Sequence, residues 1–407
     1  MSKLLVDTGI KWIGKIPEDW NVVKVNKMFY RRKEINQDDN PTILSLARTG
    51  VKIRDISNNE GQLAESYDNY HKVHIGDLML NPMDLISGAN CSVSYVEGVI
   101  SPAYINLTRK TECNSRYYDY FFKNQYWVNA MFIHGKGVSF DNRWTMNAET
   151  IMDYKIPVPP VDEQNKIAAY LDRKCSKIDQ VIEDNNKSIE LLEEYKKRYI
   201  SDTVINKDNK KMRLRNIASI VRGGSPRPIE DYLIDSNQDG TNWIKIGDTI
   251  KGNKYITSTS QKIKNSGVSK SRLLHKGDFV LSNSMSFGQP YILDIDGCIH
   301  DGWLAFQNIS SDILKDYLYY FLTSDYCMNQ FSDSISGAVV GNLNIDKVKN
   351  TTIFLPDIKE QQNIVKHLDD FCFKIDKVIE YRKKIIEKLE EYKKSLIYEV
   401  VTGKKEV

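Results

Sequence analysis

Three stretches of this sequence gather side chains suited to one kind of chemistry, the neutralisation of phosphate. Lys24 to Arg54 holds eight basic and three acidic residues, among them Arg31-Arg32-Lys33, Arg48, Lys52 and Arg54. Asn206 to Arg227 holds seven basic residues (Lys207, Lys210, Lys211, Arg213, Arg215, Arg222 and Arg227) against Asp208 alone. Thr241 to Val280 holds eight, including Lys245, Lys254, Lys262, Lys264, Lys270 and Arg272, against Asp248 and Asp278. Local net charges of about +5 to +6 are the footprint expected of a nucleic-acid surface. The whole chain carries only +3, so any such surface must be local. Asn81, Asn242, Asn265, Ser282, Asn283, Ser284 and Gln289 are interspersed with these cations. Such side chains, with arginine, can read base edges, although each alone also suits a turn or a solvated surface. The candidate DNA contacts are Arg48, Lys52, Arg54 and Asn81 in the first half, and Arg227, Lys245, Lys264, Lys270, Arg272 and Ser284 in the second.

Catalytic chemistry finds less support. Asn81-Pro82-Met83-Asp84 superficially resembles the Asn-Pro-Pro-aromatic motif of adenine methyltransferases, but Met83 and Asp84 break it and no glycine-rich cofactor loop precedes it. No Gly-x-x-x-x-Gly-Lys-Ser/Thr string occurs, which argues against a nucleotide-binding phosphate loop. Pro356-Asp357 is not followed by a Glu-x-Lys pair of the nuclease kind. His71 and His74 lie three apart without Cys or carboxylate partners at metal-ligand spacing, so they read as surface or core histidines. Arg222-Gly223-Gly224-Ser225-Pro226 could approach a phosphate, but Pro226 and Pro228 follow where a helix would have to begin, and it reads as a loop. The chain is therefore expected to be no enzyme, with no catalytic, cofactor-binding or metal-binding residue.

The element that must position the basic stretches occurs twice. Residues 163–197 return at a shift of 197 as residues 360–394, with 21 of 35 positions identical, from Glu163-Gln164 and Glu360-Gln361 to Lys197 and Lys394. Even Cys175 recurs as Cys372. A repeat of this quality, shifted by half the chain, indicates internal duplication. Each copy carries one apolar stripe at spacings of three, four or seven, the seam of a coiled coil. Its packing residues are Ile167, Leu171, Ile178, Ile182, Ile189 and Leu192 in one copy, and Ile364, Leu368, Ile375, Ile379, Ile386 and Leu389 in the other. A helix of roughly 40 residues, about 60 Å long, needs a partner for such a stripe, and its own repeat is the natural one. Asp162 is placed to cap the first helix, Asp357 with Glu360 to form a capping box on the second, and Gly403 to stop it. Asn185 and Arg382 occupy equivalent polar positions in the stripes, either fixing register or marking a wet site. From Glu163 to Ile205 eight basic residues meet nine acidic ones, which suits an interacting, solvated face and not a phosphate-binding one.

Two mixed segments alternate with these helices. Gly76-Asp77-Leu78-Met79-Leu80 is answered by Gly277-Asp278-Phe279-Val280-Leu281, the aromatic helix around Tyr117 to Phe122 by Asp316 to Phe321, and Met146-Asn147-Ala148 by Leu343-Asn344-Ile345. The aromatics at helical spacing read as core. A composition of 41% hydrophobic and 27% charged residues is ordinary for a soluble globular protein. No apolar run approaches the roughly 18 to 20 residues of a membrane span, and the first residues lack the apolar core of a signal peptide. Six scattered cysteines without a Cys-x-x-Cys pair suit the reducing cytoplasm, the expected location.

The full-length arrangement resembles a known family, the DNA specificity subunit of type I restriction–modification enzymes. The strings that carry the resemblance are Ile156-Pro157-Val158-Pro159-Pro160-Val161-Asp162-Glu163-Gln164 and Phe354-Leu355-Pro356-Asp357-Ile358-Lys359-Glu360-Gln361. To these the opening adds Thr8-Gly9-Ile10-Lys11-Trp12-Ile13-Gly14 and Ile16-Pro17-Glu18-Asp19-Trp20, a lead-in the second half lacks. The resemblance implies an α+β chain with two α/β target-recognition domains, 1–158 and 206–354. Two long antiparallel coiled-coil helices, 159–205 and 355–407, would separate them as a pseudo-two-fold internal repeat. It further implies that each domain reads half of a bipartite duplex DNA target and that helix length sets the gap. Two methyltransferase subunits would dock on the helices, and restriction subunits would join through the complex. S-adenosylmethionine, ATP and Mg would be used by those partners, with no cofactor in this chain. The alternative from the residues alone is a coiled-coil scaffold joining two modules that bind ligands other than DNA, which salt dependence would discriminate.

Overall fold

The computed structural model describes residues 3–56, 64–83, 85, 90–137, 144–250, 252–283, 288–332 and 343–407. Helices α1 (Ser115–Trp127), α2 (Val161–Val204), α3 (Lys315–Thr323) and α4 (Ile358–Val401) frame two compact units. One unit is Met1–Asn185 with Lys384–Val407, and the other is Asn186–Lys383. Both long helices run 44 residues, and each contributes a segment to both units.

The proline strings decide where the long helices begin. The strand Lys155–Val158 ends at Pro159-Pro160, and the N–H groups of Glu163 and Gln164 both donate to the Pro160 carbonyl. Asp162, read from sequence as the cap, instead sits inside the first turn; its charge there still complements the helix dipole. Asp357 does precede α4, and its Oδ1 accepts from the Glu360 N–H at 2.8 Å. Gly403 ends α4 at a φ of +69°, a conformation open to glycine without steric penalty.

In the first unit a four-stranded antiparallel sheet runs in the order Phe29–Arg32, Ile105–Arg109, Leu78–Leu80, Cys91–Val93. Leu107 pairs with both Arg31 and Leu78, and Leu80 pairs with Cys91. Helix α1 covers this sheet with Tyr117, Tyr118, Phe121 and Phe122, all buried in one core with Leu78, Leu80 and Cys91. Ile167, Leu171 and Ile178 of α2 join that core, as do Leu396, Ile397, Val400 and Val401 of α4. Farther along α2, Asp179 meets Lys393 at 2.6 Å, so the two helical segments run antiparallel.

The second unit holds two five-stranded sheets. One is ordered Ser219–Arg222, Trp303–Gln307, Phe279–Ser282, Pro290–Leu293, Tyr255–Ile256, and only its last pairing is parallel. The other is ordered Leu233–Asp235, Gln261–Ile263, Thr241–Ile244, Gly297–Ile299, Arg272–Leu274, with a parallel pair between Thr241–Ile244 and Gly297–Ile299. Helix α3 shares its core with Ile200 and Val204 of α2 and Leu368 and Cys372 of α4. Lys196 of α2 meets Asp376 of α4 at 2.6 Å. Lys196 and Asp376 are the residues that a shift of 197 relates to Lys393 and Asp179. The stripe residues named from sequence are all buried or half-buried, Leu171 and Leu368 fully so.

The same contacts seat a module on its helix in each unit. Gln164, fully buried, accepts from the Asn114 N–H at 2.9 Å and donates to the Pro159 carbonyl at 2.8 Å. Gln361, fully buried, accepts from the Leu314 N–H at 2.8 Å and donates to the carbonyls of Pro356 and Asp312. Tyr120 donates to Asp172 at 2.8 Å, and Tyr320 donates to Asp369 at 2.5 Å. A cation completes each seat from a different source: Arg116 of α1 lies over the Tyr120 ring, and Lys254, from outside α3, lies over the Tyr320 ring. Burial opposes the charge of Lys254, but hydrogen bonds to Asp369 and Asp316 outweigh it and raise its pKa. Cys175 and Cys372 are buried at these seats, where desolvation raises both thiols above their ordinary value.

Candidate nucleic-acid interface

The two modules share one strand–turn unit. In each module a glycine at positive φ, Gly76 at +91° and Gly277 at +88°, turns the chain into a fully buried strand. The following aspartate holds that turn: Asp77 accepts from the His74 N–H at 3.0 Å and Asp278 from the His275 N–H at 2.9 Å. Asp77 also accepts from Thr108 and Asn106 and pairs with Arg32, so its carboxylate is committed to the framework.

In the first module Arg48 and Lys52 are exposed and Arg54 is half-buried, on and beside the hairpin Leu44–Ala47/Gly50–Ile53. Asn81 is buried: its Oδ1 accepts from the Met83 N–H at 3.0 Å, while its carbonyl accepts from the Tyr126 hydroxyl. The side-chain oxygen of Asn81 thus braces a turn. His74 lies 3.5 Å from Glu34, which hydrogen bonds from His74, Lys72 and Arg32 hold below the usual carboxylate range against a smaller opposing effect of burial.

In the second module two of the six candidates, Arg227 and Lys245, line one cavity. A cavity of about 790 Å³ is lined by Ser225, Arg227, Ile229, Trp243, Lys245, Ile246, His300 and Asp301, among others. Gly223 makes its wall possible, because a Cβ there would lie 2.1 Å from the His300 carbonyl oxygen. That close approach carries the loop past Asp301, whose Oδ1 accepts from Ser225 Oγ at 2.8 Å and whose Oδ2 faces Arg227 at 3.4 Å. The Ser225 hydrogen bond, with His300 and Arg227 nearby, holds the Asp301 carboxyl below its ordinary range despite partial burial. His300 Nδ1 accepts from the Gly302 N–H at 2.8 Å, and burial lowers this imidazole's pKa despite the nearby Asp301 and Asp248 carboxylates. Lys245 donates to Gln261 at 2.8 Å, Lys264 to the Asp231 carbonyl at 2.7 Å and Arg272 to the Arg222 carbonyl at 2.8 Å. Lys270 donates to the Tyr232 hydroxyl and lies 4.9 Å from that ring's centroid. Ser284 lies outside the described residues.

His300 and Asp301 did not stand out in the sequence, because they lie more than fifty residues from Trp243 and Lys245 and meet them only through sheet pairing. Gln164 and Gln361 left a signal in their recurrence behind the same prolines, whose physical role is visible only in the structure.

Two modules that carry cations on strands and loops, each seated on a repeated helix, have the form of a recognition scaffold. Residues 206–391 match the family described as the type I restriction modification DNA specificity domain. The MjaVIII type I restriction enzyme specificity subunit of Methanocaldococcus jannaschii is 23% identical over 422 residues, spanning 96% of this chain and 94% of its own. A chain solved in work on complex assembly and conformational transition of the type I restriction–modification system superposes with a TM-score of 0.75 at 13% identity, over 95% of this chain and 98% of that one. The HsdS subunit from Thermoanaerobacter tengcongensis superposes with a TM-score of 0.54 at 14% identity, over 96% and 98% of the two chains. The fold resembles that of these solved chains, and residues 206–391 resemble a type I restriction modification DNA specificity domain.

Proposed function

We propose that each module reads one half of a bipartite duplex DNA target and that the paired helices set the unread gap between the halves. The observation that carries this reading is the contrast between the repeats. The helices keep 21 of 35 positions and the same Gln, Tyr–Asp and Lys–Asp contacts, while the modules repeat only short strings such as Gly76-Asp77 and Gly277-Asp278. A scaffold held constant beneath divergent surfaces suits two readers of different sequences.

The outer faces of the helices would dock two adenine-N6 methyltransferase subunits. Val181 and Val378 are 45% and 42% exposed, and Tyr195 and Tyr392 are 50% and 52% exposed; the shift of 197 relates the members of each pair. Large apolar side chains kept in water in both copies suit a partner that binds twice. Restriction subunits would join through that complex. S-adenosylmethionine, ATP and Mg would be held by the partners, and the assembly would act in the cytoplasm; among the described residues no helix is long and apolar enough to cross a membrane.

Footprinting the chain with its methyltransferase partner on duplex DNA tests this. Two protected patches flanking an unprotected gap are expected, with affinity falling steeply as salt rises. One continuous patch would contradict the split reading, and indifference to salt would favour a scaffold for ligands other than DNA.

A further inference from the structure

Among the basic side chains of the second module, Arg227 is held differently from its neighbours. Lys245, Lys264, Lys270 and Arg272 turn donor nitrogens onto nearby side chains or carbonyls. The Arg227 side chain is 81% exposed, and its described contact joins Nη2 to Asp301 at 3.4 Å. That contact engages one of the five N–H donors of a guanidinium fork. Its backbone is constrained on both sides, since Pro226 has a fixed φ and Pro228 restricts the residue before it. The fork stands at the rim of the cavity of about 790 Å³, with Trp243, Ile229 and Ile246 as apolar wall. Asp301 is itself tied down by Ser225, and its carbonyl accepts from Arg222.

This arrangement suits an edge reader better than a phosphate clamp. A phosphate contact needs charge and tolerates a loose side chain, which the module's lysines already supply. A base contact needs a planar fork fixed in direction, and a carboxylate behind one Nη group gives that direction. The base that offers two acceptors to such a fork in the major groove is guanine, through O6 and N7. We propose that Arg227, oriented by Asp301, reads a guanine in the half-site recognised by the second module. The proposal rests on the reading of this module as a DNA half-site reader; Asp301 is its positioning residue.

The test uses the full chain with its methyltransferase partner, measuring affinity on duplexes that carry each base pair in turn at every half-site position, and mapping the methylated motif. Wild type should prefer guanine at one position of one half by roughly ten- to a hundred-fold. Arg227→Ala and the charge-retaining Arg227→Lys should both make that position degenerate and leave the other half unchanged. With Arg227→Lys the salt dependence should stay as in wild type, because the charge remains. Asp301→Asn, which leaves the arginine in place, should weaken discrimination at the same position, a change that a purely structural role would not confine to one base. An unchanged motif with uniformly weaker binding and a shallower salt slope in Arg227→Ala would make Arg227 a phosphate contact and overturn the proposal, as would no effect at all. A wild-type complex that selects no split target would instead fail at the parent reading and take this proposal with it.

Discussion

Gln164 and Gln361 do work at the residue scale that their type does not advertise. Each satisfies a module N–H and a proline carbonyl from the first turn of a long helix, with no exposure to water. Replacing either by alanine leaves a buried donor and acceptor without partners, which costs about 1–3 kcal/mol. Urea unfolding of Gln164→Ala and Gln361→Ala should show losses of that size, and a neutral result would mean that water takes their place. Lys254 makes a second prediction, on pH. Its pKa is raised in the folded state from the ordinary 10.5, so its contribution is complete below that value and is lost as pH climbs through the folded value. Unfolding free energy should therefore fall above about pH 10.5. Tyr320, pushed up by burial and by its bond to Asp369, adds to the same alkaline loss. Lys254→Met should flatten this limb in denaturant titrations at stepped pH, and an identical limb would exclude the lysine as its source.

At the scale of elements, the pairing of α2 with α4 is fixed by stripe packing and then registered by charge. Asp179–Lys393 in one unit and Asp376–Lys196 in the other sit at equivalent places in the repeat, but the carboxylates are 54% and 53% exposed. Pairs so open to solvent contribute only about 0.2–1 kcal/mol. Asp179→Lys should lower stability by that order, and adding Lys393→Asp should restore it in a double-mutant cycle; absence of coupling would remove any role in register. The helices were legible in the sequence because a one-sided stripe at spacings of three, four and seven, repeated with 21 of 35 identities, has few other physical outcomes. Their partnership was legible too, since each stripe needed a cover of matching length. The start of α2 was not, because the first helical hydrogen bonds run to the Pro160 carbonyl, which places Asp162 inside the first turn.

At the scale of the whole molecule, the modules were legible as mixed α/β material but not as working surfaces. Their sheets join strands far apart in sequence, as Thr241–Ile244 joins Gly297–Ile299, and that pairing creates the cavity bringing Trp243 beside His300. Charge density pointed to Arg227 and Lys245, whose neighbourhood needed three dimensions. Asn81 carried the right chemistry for base edges, yet its oxygen holds a local turn. Short polar residues serve turns and ligands with the same atoms, and only burial separates the two uses.

If each module reads half of a target, this chain chooses where a partner methylates. Mapping every methylated adenine in DNA from cells that express the chain with its methyltransferase partner tests it directly. The result expected is one motif of two defined halves separated by a fixed undefined gap, lost when the chain is omitted. A single uninterrupted motif, or methylation unchanged without the chain, would contradict it.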